Sequence, residues 1–382
     1  MMLETKTLCD RGTIDALAPD WDALVHEIPG TFQGIDGTMS FAWFDAIRAS
    51  FPQATSPTVI TCHSDGKLAG LLPLIPMQSG PLGTQYALPT ELYGGRSGPL
   101  LPNNGNAPQI LSALLFECKR NLGGWSSVRI SIPEGPLAQQ FRRAAQVVGL
   151  SLAEQELTST LGFPMPPGFN ADHKDLSSNR RQHLRKAQNK IKRLNHQIRF
   201  RVFNDEVEAE ELLATVLKIE RSTWKHETGT AITNHPQQQL FYSALFPFAL
   251  RSGILYAAVL YLDEQPVAHH FGLLHNNVFC CLKHSHIQQH DELSPSALLM
   301  AAMFEDLSKR GAQSFDWMGV SEIHKTRWSQ FNINYHCVRF NLFSQTPRGM
   351  LASALFRIRK NIRSKRTDKQ GSSLPEQLPN TP

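Results

Sequence analysis

Two stretches of this chain repeat one design. TVITCHSDGKLAGLLPLIPM, residues 58–77, sets two apolar runs around Asp65-Gly66, and GILYAAVLYLDEQPVAHHFGLL, residues 253–274, sets two around a turn at Asp263 to Gln265. Aspartate and glycine suit the positive-φ turn that matches the twist of two antiparallel strands, so each stretch predicts a β-hairpin. A chain of 382 residues is two to three times the usual domain. A hairpin unit used twice in that length predicts two similar halves.

Further elements surround each hairpin. Phe41, Phe44 and Ile47 recur at helical spacing; Glu91 to Gln109, rich in Gly, Pro and Asn, reads as a long loop. A helix over Ile110 to Asn121, a strand over Val128 to Ile132 and a helix over Pro136 to Val148 complete a first half, residues 1–162. FPMPPGFNADHKD opens a linker, residues 163–177. Leu184, Ala187, Ile191 and Leu194 then recur at intervals of three and four, which predicts an amphipathic helix from Ser178 with those four facing inward. Helices over Glu206 to Trp224 and Gln237 to Arg251, a strand at NVFCCLKHS, a helix after DELSPS and strands at FDWMG and YHCVRFNLF fill residues 178–350. The order predicts a layered α/β (α+β) fold with mixed, largely antiparallel sheets. Residues 351–382 are expected to form a basic helix and, from about Thr367, a disordered tail.

Hydrophobic residues at 41% and charged ones at 19% exclude a disordered chain. No basic segment followed by an apolar run opens the sequence, and a cytoplasmic protein is expected. The six cysteines lack metal-knuckle or redox-pair spacing and read as buried thiols. The net charge of +5 is concentrated in Ser177 to Leu194 and in Phe356 to Arg366. Such patches favour phosphate-bearing partners: a nucleotide, a nucleic acid or an anionic membrane surface.

The chemistry gathers at FDWMGVSEIHKTRW, Phe315 to Trp328, a strand that ends in a turn carrying an acid, a glycine, a histidine and a lysine. Ligands collect at the carboxyl ends of strands in α/β layers, so Asp316, Gly319, Glu322, His324 and Lys325 are expected to ring a reacting centre. Gly319 permits close approach, Lys325 offers a cation to a phosphate or an oxyanion, and His324 suits a general base. Glu220 and Trp224, four apart on an expected helix, share one face with Lys225 at its end. Glu220 and His270 are further candidate bases. His269 and His270 are adjacent on a strand and therefore face opposite sides. With His284 and His286 nearby they still lack a carboxylate or cysteine at ligand spacing, and no metal is expected. Ser294 reads as an N-cap, Pro295 suits the first helical position and Gly311 ends the helix, whose N-H groups then face an anion near Ser294 and Ser296.

SPSALLMAAMFEDLSKRGAQSFDWMG resembles the signature helix and following strand of the GNAT acyltransferase superfamily, in which a loop and helix N-terminus hold the pyrophosphate of acyl-CoA. ERSTWK, Phe241-Tyr242, PVAHHFGL, LSPS and FDWMGVSEIHKTRW together resemble, more closely, the CelD-like group of exopolysaccharide and cellulose biosynthesis, itself similar to Fem-type aminoacyl transferases with two GNAT-like halves. The resemblance spans about Phe41 to Phe343 and is most specific from Ser177 to Trp328. It implies acyl transfer, with acetyl-CoA or another acyl-CoA as co-substrate, to a sugar or polysaccharide precursor. Glu220, His270, Asp316, His324 and Lys325 are then the candidate catalytic residues, and Ser294, Ser296, Trp224, Lys225 and Gly319 the candidate donor-binding ones. Two departures leave alternatives. Glu292-Leu293-Ser294-Pro295-Ser296 has none of the family's loop glycines, and His324-Lys325 stands where the family has Tyr-Lys. The alternatives are a Fem-type enzyme using aminoacyl-tRNA, with the basic helix from Ser178 as footing, and a non-catalytic GNAT-like binding protein.

Overall fold

The structure, a computed structural model, describes residues 2–369 apart from 30, 33–35 and 321. Most of the expected tail lies outside the described residues, and the last helix, Pro347–Lys369, runs past the expected boundary near Thr367. In chain order the strands are β1 Leu3–Leu8, β2 Thr58–Ser64, β3 Lys67–Gly80, β4 Gly83–Ala87, β5 Trp125–Pro133, β6 Ser151–Glu156 and β7 Thr160–Pro164. They continue as β8 Ile198–Phe203, β9 Leu255–Leu262, β10 Gln265–His275, β11 Val278–His286, β12 Ser314–Val320, β13 Ile333–Tyr335 and β14 Cys337–Phe343.

The two hairpins form as the sequence predicts. Asp65 and Gly66 join β2 to β3 at φ 50° and 80°, and Asp263 and Glu264 join β9 to β10 at φ 46° and 62°. Each hairpin lies in its own seven-stranded sheet, in the order β1-β2-β3-β4-β5-β14-β6 and, running the other way, β13-β7-β12-β11-β10-β9-β8. The described ladders are antiparallel except for β4/β5 and β11/β12. A parallel pair needs a crossover. The helix Ala107–Asn121 supplies it in the first half and Pro295–Lys309 in the second. The internal repeat read from the hairpins therefore extends to whole sheets.

The halves do not divide at residues 163–177. β7, just before the expected linker, pairs with β12 and β13, while β14, expected to finish the second half, pairs with β5 and β6. Each half thus inserts its last strand between the fifth and sixth strands of the other. Packing shows why these strands belong where they lie. Phe340 of β14 is buried against Phe141 under the first half's helix, and Phe163 of β7 is stacked on Phe315 at 5.2 Å and set edge-on to Phe304. Burying a phenylalanine side chain stabilises by about 1.5–3 kcal/mol, so each exchanged strand adds to the core it enters.

The helix Ser178–Arg193 is capped by the Ser177 hydroxyl and buries Leu184, Ala187 and Ile191 as expected. Leu194 lies just beyond its end and is exposed. The helix expected over Glu206 to Trp224 is broken: a 3-10 turn precedes Ala209–Glu220, and a separate short helix covers Trp224–Glu227. Of the cysteines, Cys9 is exposed and the others are wholly or partly buried. Among the described residues no helix is long and apolar enough to cross a membrane.

Candidate active site

The two parallel pairs differ where they end. β4 stays zipped to β5 to its last residue, and the Leu88 N-H still bonds the Arg129 carbonyl at 3.2 Å. β11 and β12 pair only from Val278/Ser314 to Cys280/Asp316 and then part, although β11 runs on to His286 and β12 to Val320. The result is a V-shaped notch at the carboxyl ends of both strands.

Local chemistry explains the parting. Asp316 Oδ1 accepts a hydrogen bond from the Met318 N-H at 2.8 Å, and Met318 takes a left-handed φ of 55°. That conformation is costly for a side-chain-bearing residue and turns the strand out of the ladder. β12 also slips against β7 between Asp316 and Val320. On the other side of the notch, β11 slips against β10 at Phe271/Gly272, where Gly272 carries the Cys280 backbone too close for any β-carbon.

Aromatic rings floor the notch. Trp317 lies 6.0 Å from His284, 6.4 Å from His270 and 4.9 Å from Phe315, centroid to centroid. The Trp317 Nε1 and His270 Nδ1 atoms are buried without a hydrogen-bond partner among the described residues. His270 Nε2 lies 3.5 Å from Cys281 Sγ. Burial pushes the His270 pKa down to about 3 and the Cys281 thiol up to about 12, so both are neutral near pH 7. His270 therefore lines the notch but is a weak base.

His324 and Lys325 sit at the mouth. The His324 ring is 6.5 Å from both Trp317 and His284, and its Nδ1 is 3.1 Å from Glu322 Oε2, with half of the side chain exposed. Burial lowers its pKa, against the pull of Glu322. The imidazole is thus neutral at pH 7 and oriented by a carboxylate, as a general base requires. Lys325 is nearly buried and donates to the Val320 carbonyl at 2.7 Å, with Gly319 alongside. Burial lowers its pKa.

Asp316 does not face the notch as expected. It is fully buried, and its Oδ2 accepts from the Tyr335 hydroxyl at 2.6 Å and lies 3.4 Å from Arg96 Nε. Arg96, from the loop of the first half, also meets Asp36 Oδ2 at 3.3 Å and Cys280 Sγ at 3.2 Å and bonds the Thr31 carbonyl. Burial raises the Asp316 pKa. Nothing in the sequence marked Arg96, because its partners come from both halves of the chain.

Glu220 lies on the other face of the sheet and is 1% exposed. Its Oε1 accepts from His269 Nε2 at 3.1 Å and from the Ser285 hydroxyl, and its Oε2 from the Ile232 N-H at 2.9 Å. Burial alone would push its pKa up, but these donors outweigh it and hold the carboxyl down to about 2. Burial also lowers the His269 pKa, so near pH 7 a neutral imidazole donates to a carboxylate. Lys225 Nζ bonds Ser285 Oγ at 2.9 Å and the His284 carbonyl, which ties this network to β11 at the notch. Trp224 does not join it. The helix ends at Glu220, and Trp224 is 48% exposed.

The helix Pro295–Lys309 starts at the foot of β11. Ser294 is not the expected side-chain cap: it sits at φ 53° and makes no capping bond. The Ala297 and Leu298 N-H groups bond back to the Ser294 carbonyl and Pro295 has no N-H, which leaves Ser296 to offer its N-H to a ligand. Among the described residues no group of three His, Cys, Asp or Glu side chains is placed to hold a metal ion.

Residues 178–326 match the family model of an acetyltransferase (GNAT) domain. The notch lies within the matched segment. No curated protein matches the sequence. Among solved structures the chain is similar to FemX, with a TM-score of 0.63 and 12% identity over 91% of this chain and 99% of that one. It is also similar to a conserved protein of unknown function from Bacteroides thetaiotaomicron, with a TM-score of 0.54 and 12% identity over 90% of this chain and 100% of that one. The C-terminal domain of a putative lysylphosphatidylglycerol synthetase from Agrobacterium fabrum gives a TM-score of 0.51 and 10% identity, over 88% and 94% of the two chains. At such identities these likenesses establish a shared fold alone.

Proposed function

We propose that this chain is an acyltransferase of the CelD-like kind, moving an acyl group from acyl-CoA, acetyl-CoA first among candidates, to an amine or hydroxyl of a sugar in an envelope or exopolysaccharide precursor. The observation that carries the reading is the parting of β11 from β12, with the unpartnered Trp317 Nε1 and His270 Nδ1 inside the notch. A buried N-H without a partner costs about 1–3 kcal/mol. A thioester carbonyl or amide laid along the notch would accept from it.

In this reading the acceptor oxygen or nitrogen attacks the thioester carbon while His324 Nε2 takes its proton, with Glu322 on Nδ1 holding the ring. Lys325 is tethered by one hydrogen bond to Val320 and keeps further N-H donors for the oxygen that becomes negative. The new acyl bond forms as the carbon-sulfur bond breaks and the sulfur leaves as a thiolate, which becomes a thiol by taking up the proton held on His324. Ser296 and the helix start meet the donor's phosphates. Glu220, Lys225 and Asp316 act by positioning β11 and β12. Trp224 has no part in this assignment, since it stands out in solvent.

Calorimetry with acetyl-CoA and longer acyl-CoA thioesters tests the reading. Micromolar binding that weakens in Trp317→Phe and survives in His324→Gln, with transfer to amino sugars lost in His324→Gln, is the expected result. Absence of binding to every thioester would overturn the choice of donor. Salt-sensitive binding of bulk tRNA in its place would point to an aminoacyl-tRNA donor. The basic helix is a reduced footing for that, because Arg181, Arg185 and Lys190 are engaged within the chain and Arg180 stacks on Trp328.

A further inference from the structure

The helix Pro347–Lys369 is 23 residues long, and over residues 347–360 it is docked on the first sheet by one face. Gly349, Ala352, Ser353 and Phe356, at intervals of three and four, turn inward, with the Phe356 ring 5.7 Å from Phe343. Gly349 lies so close to Ser344 that no side chain would fit there. Lys360 Nζ pins the helix farther along, donating to the Glu154 carbonyl at 2.7 Å. The docking therefore has a fixed orientation, and the opposite face is held outward.

That outward face is apolar. Met350 is 65% exposed, Leu351 51%, Leu355 37% and Ile358 54%, and Ala354 lies among them. Scattered exposed leucines are ordinary, but four large apolar side chains in one stripe of one helix are not. Arginines Arg348, Arg357 and Arg359 are exposed along the same helix. The sequence places no acid between Pro347 and Thr367 and adds Arg363, Lys365 and Arg366 to the helical segment. At the helix foot opens a cavity of 530 Å³ lined by Ser151, Ser344, Ser353, Met350 and Arg357. Hydroxyls and a guanidinium beside an apolar mouth are donors that suit a phosphodiester.

We propose that this helix lies flat on an anionic phospholipid surface, the stripe from Met350 to Ile358 entering the acyl boundary and the arginines meeting lipid phosphates. An apolar stripe bordered by arginine, on a helix whose first acid is Asp368 near its end, is complementary to negative headgroups over hydrocarbon. It is a poor match for a protein face, which would need acids of its own to meet so many cations. Contact of this helix with lipid does not depend on the chemistry at the notch, and acyltransferase assays do not bear on it.

The test is sedimentation of the full chain with vesicles of phosphatidylcholine alone and of phosphatidylcholine mixed with phosphatidylglycerol. Binding to the mixed vesicles only, weakened by salt, is expected. The double variant Leu351→Glu with Leu355→Glu should lower the partition coefficient about tenfold or more, and so should Arg357→Gln with Arg359→Gln, each cation near the surface being worth about fivefold. These side chains are exposed, so circular dichroism should be unchanged; if the glutamates disturb the helix, the glutamine variant still decides. Equal sedimentation with both vesicle types, or of variants and parent, overturns the proposal. So does a glutamate variant that changes the oligomeric state of a chain that binds no vesicles, since the stripe would then be covered by a second copy.

Discussion

Replacing Glu220 by glutamine keeps the side chain's shape and removes its charge. In either amide orientation an NH2 group faces a donor, whether the Ile232 N-H or the pair His269 Nε2 and Ser285 Oγ, and Lys225 loses the nearest negative charge. The fall of the carboxyl pKa from 4.5 to about 2 sets the size. At about 1.4 kcal/mol per pH unit it corresponds to roughly 3 kcal/mol, an upper value because His269 is neutral near pH 7 and contributes a hydrogen bond but no charge. The sign is that of a depressed acid: the stability is present above the unfolded pKa near 4.5 and is lost as pH falls toward 2. Urea unfolding of parent and Glu220→Gln should therefore differ by about 2–3 kcal/mol from pH 7 down to pH 5.5, and the gap should narrow by about 1 kcal/mol at pH 3.5. A difference under about 0.5 kcal/mol, or one that stays constant with pH, would refute a buried, ionised, structural Glu220. Unchanged stability together with abolished transfer would instead make Glu220 a base.

Three further outcomes test other parts of the molecule. His324→Gln should lower kcat about a hundredfold or more with little change in donor KM. In the parent the rate should fall only below the ordinary histidine range, because burial depresses the His324 pKa, and an acid limb above about 6.5 would contradict this. Arg96→Met leaves Asp36 and Asp316 buried together without their cation and should cost about 3–5 kcal/mol by chemical denaturation. The Asp316 pKa, already raised, should rise further, so this loss eases as pH is lowered; a loss under about 1 kcal/mol would deny the ion pair its role. Residues 1–162 made alone lack β14 and leave the facing edges of β5 and β6 unpaired. They should show no cooperative thermal unfolding, and a sharp transition would show that the strand exchange is dispensable.

What the sequence revealed and what it hid have distinct physical causes. The hairpins were legible because Asp65-Gly66 and the Asp263 turn are local signals, with apolar runs on either side. The buried face of Ser178–Arg193 was legible for the same reason. Strand exchange was not: β7 and β14 are short apolar runs whose partners are distant in sequence, so adjacency suggested the wrong sheet for each. Glu220 and Trp224 fit one helical face by spacing, yet Thr223 is extended and starts a new helix turned elsewhere. Ser294 looked like a cap by residue type, but a left-handed backbone there puts its hydroxyl out of reach, a choice that local preference does not foretell.

Asp316 joins these threads. The sequence placed it beside the reacting centre, and it does stand where the notch begins, but with its carboxylate turned into the protein. One oxygen holds the Met318 N-H and so the bend that parts β12 from β11; the other is held by Tyr335, at the end of β13, and by Arg96 from the first half. Asp36 holds Arg96 in turn, through both its side chain and its backbone N-H. The first half has no such parting of its own parallel strands. It contributes to the site by gripping the bend in the other half, which explains why a duplicated fold can keep one notch open and still need both copies of the unit.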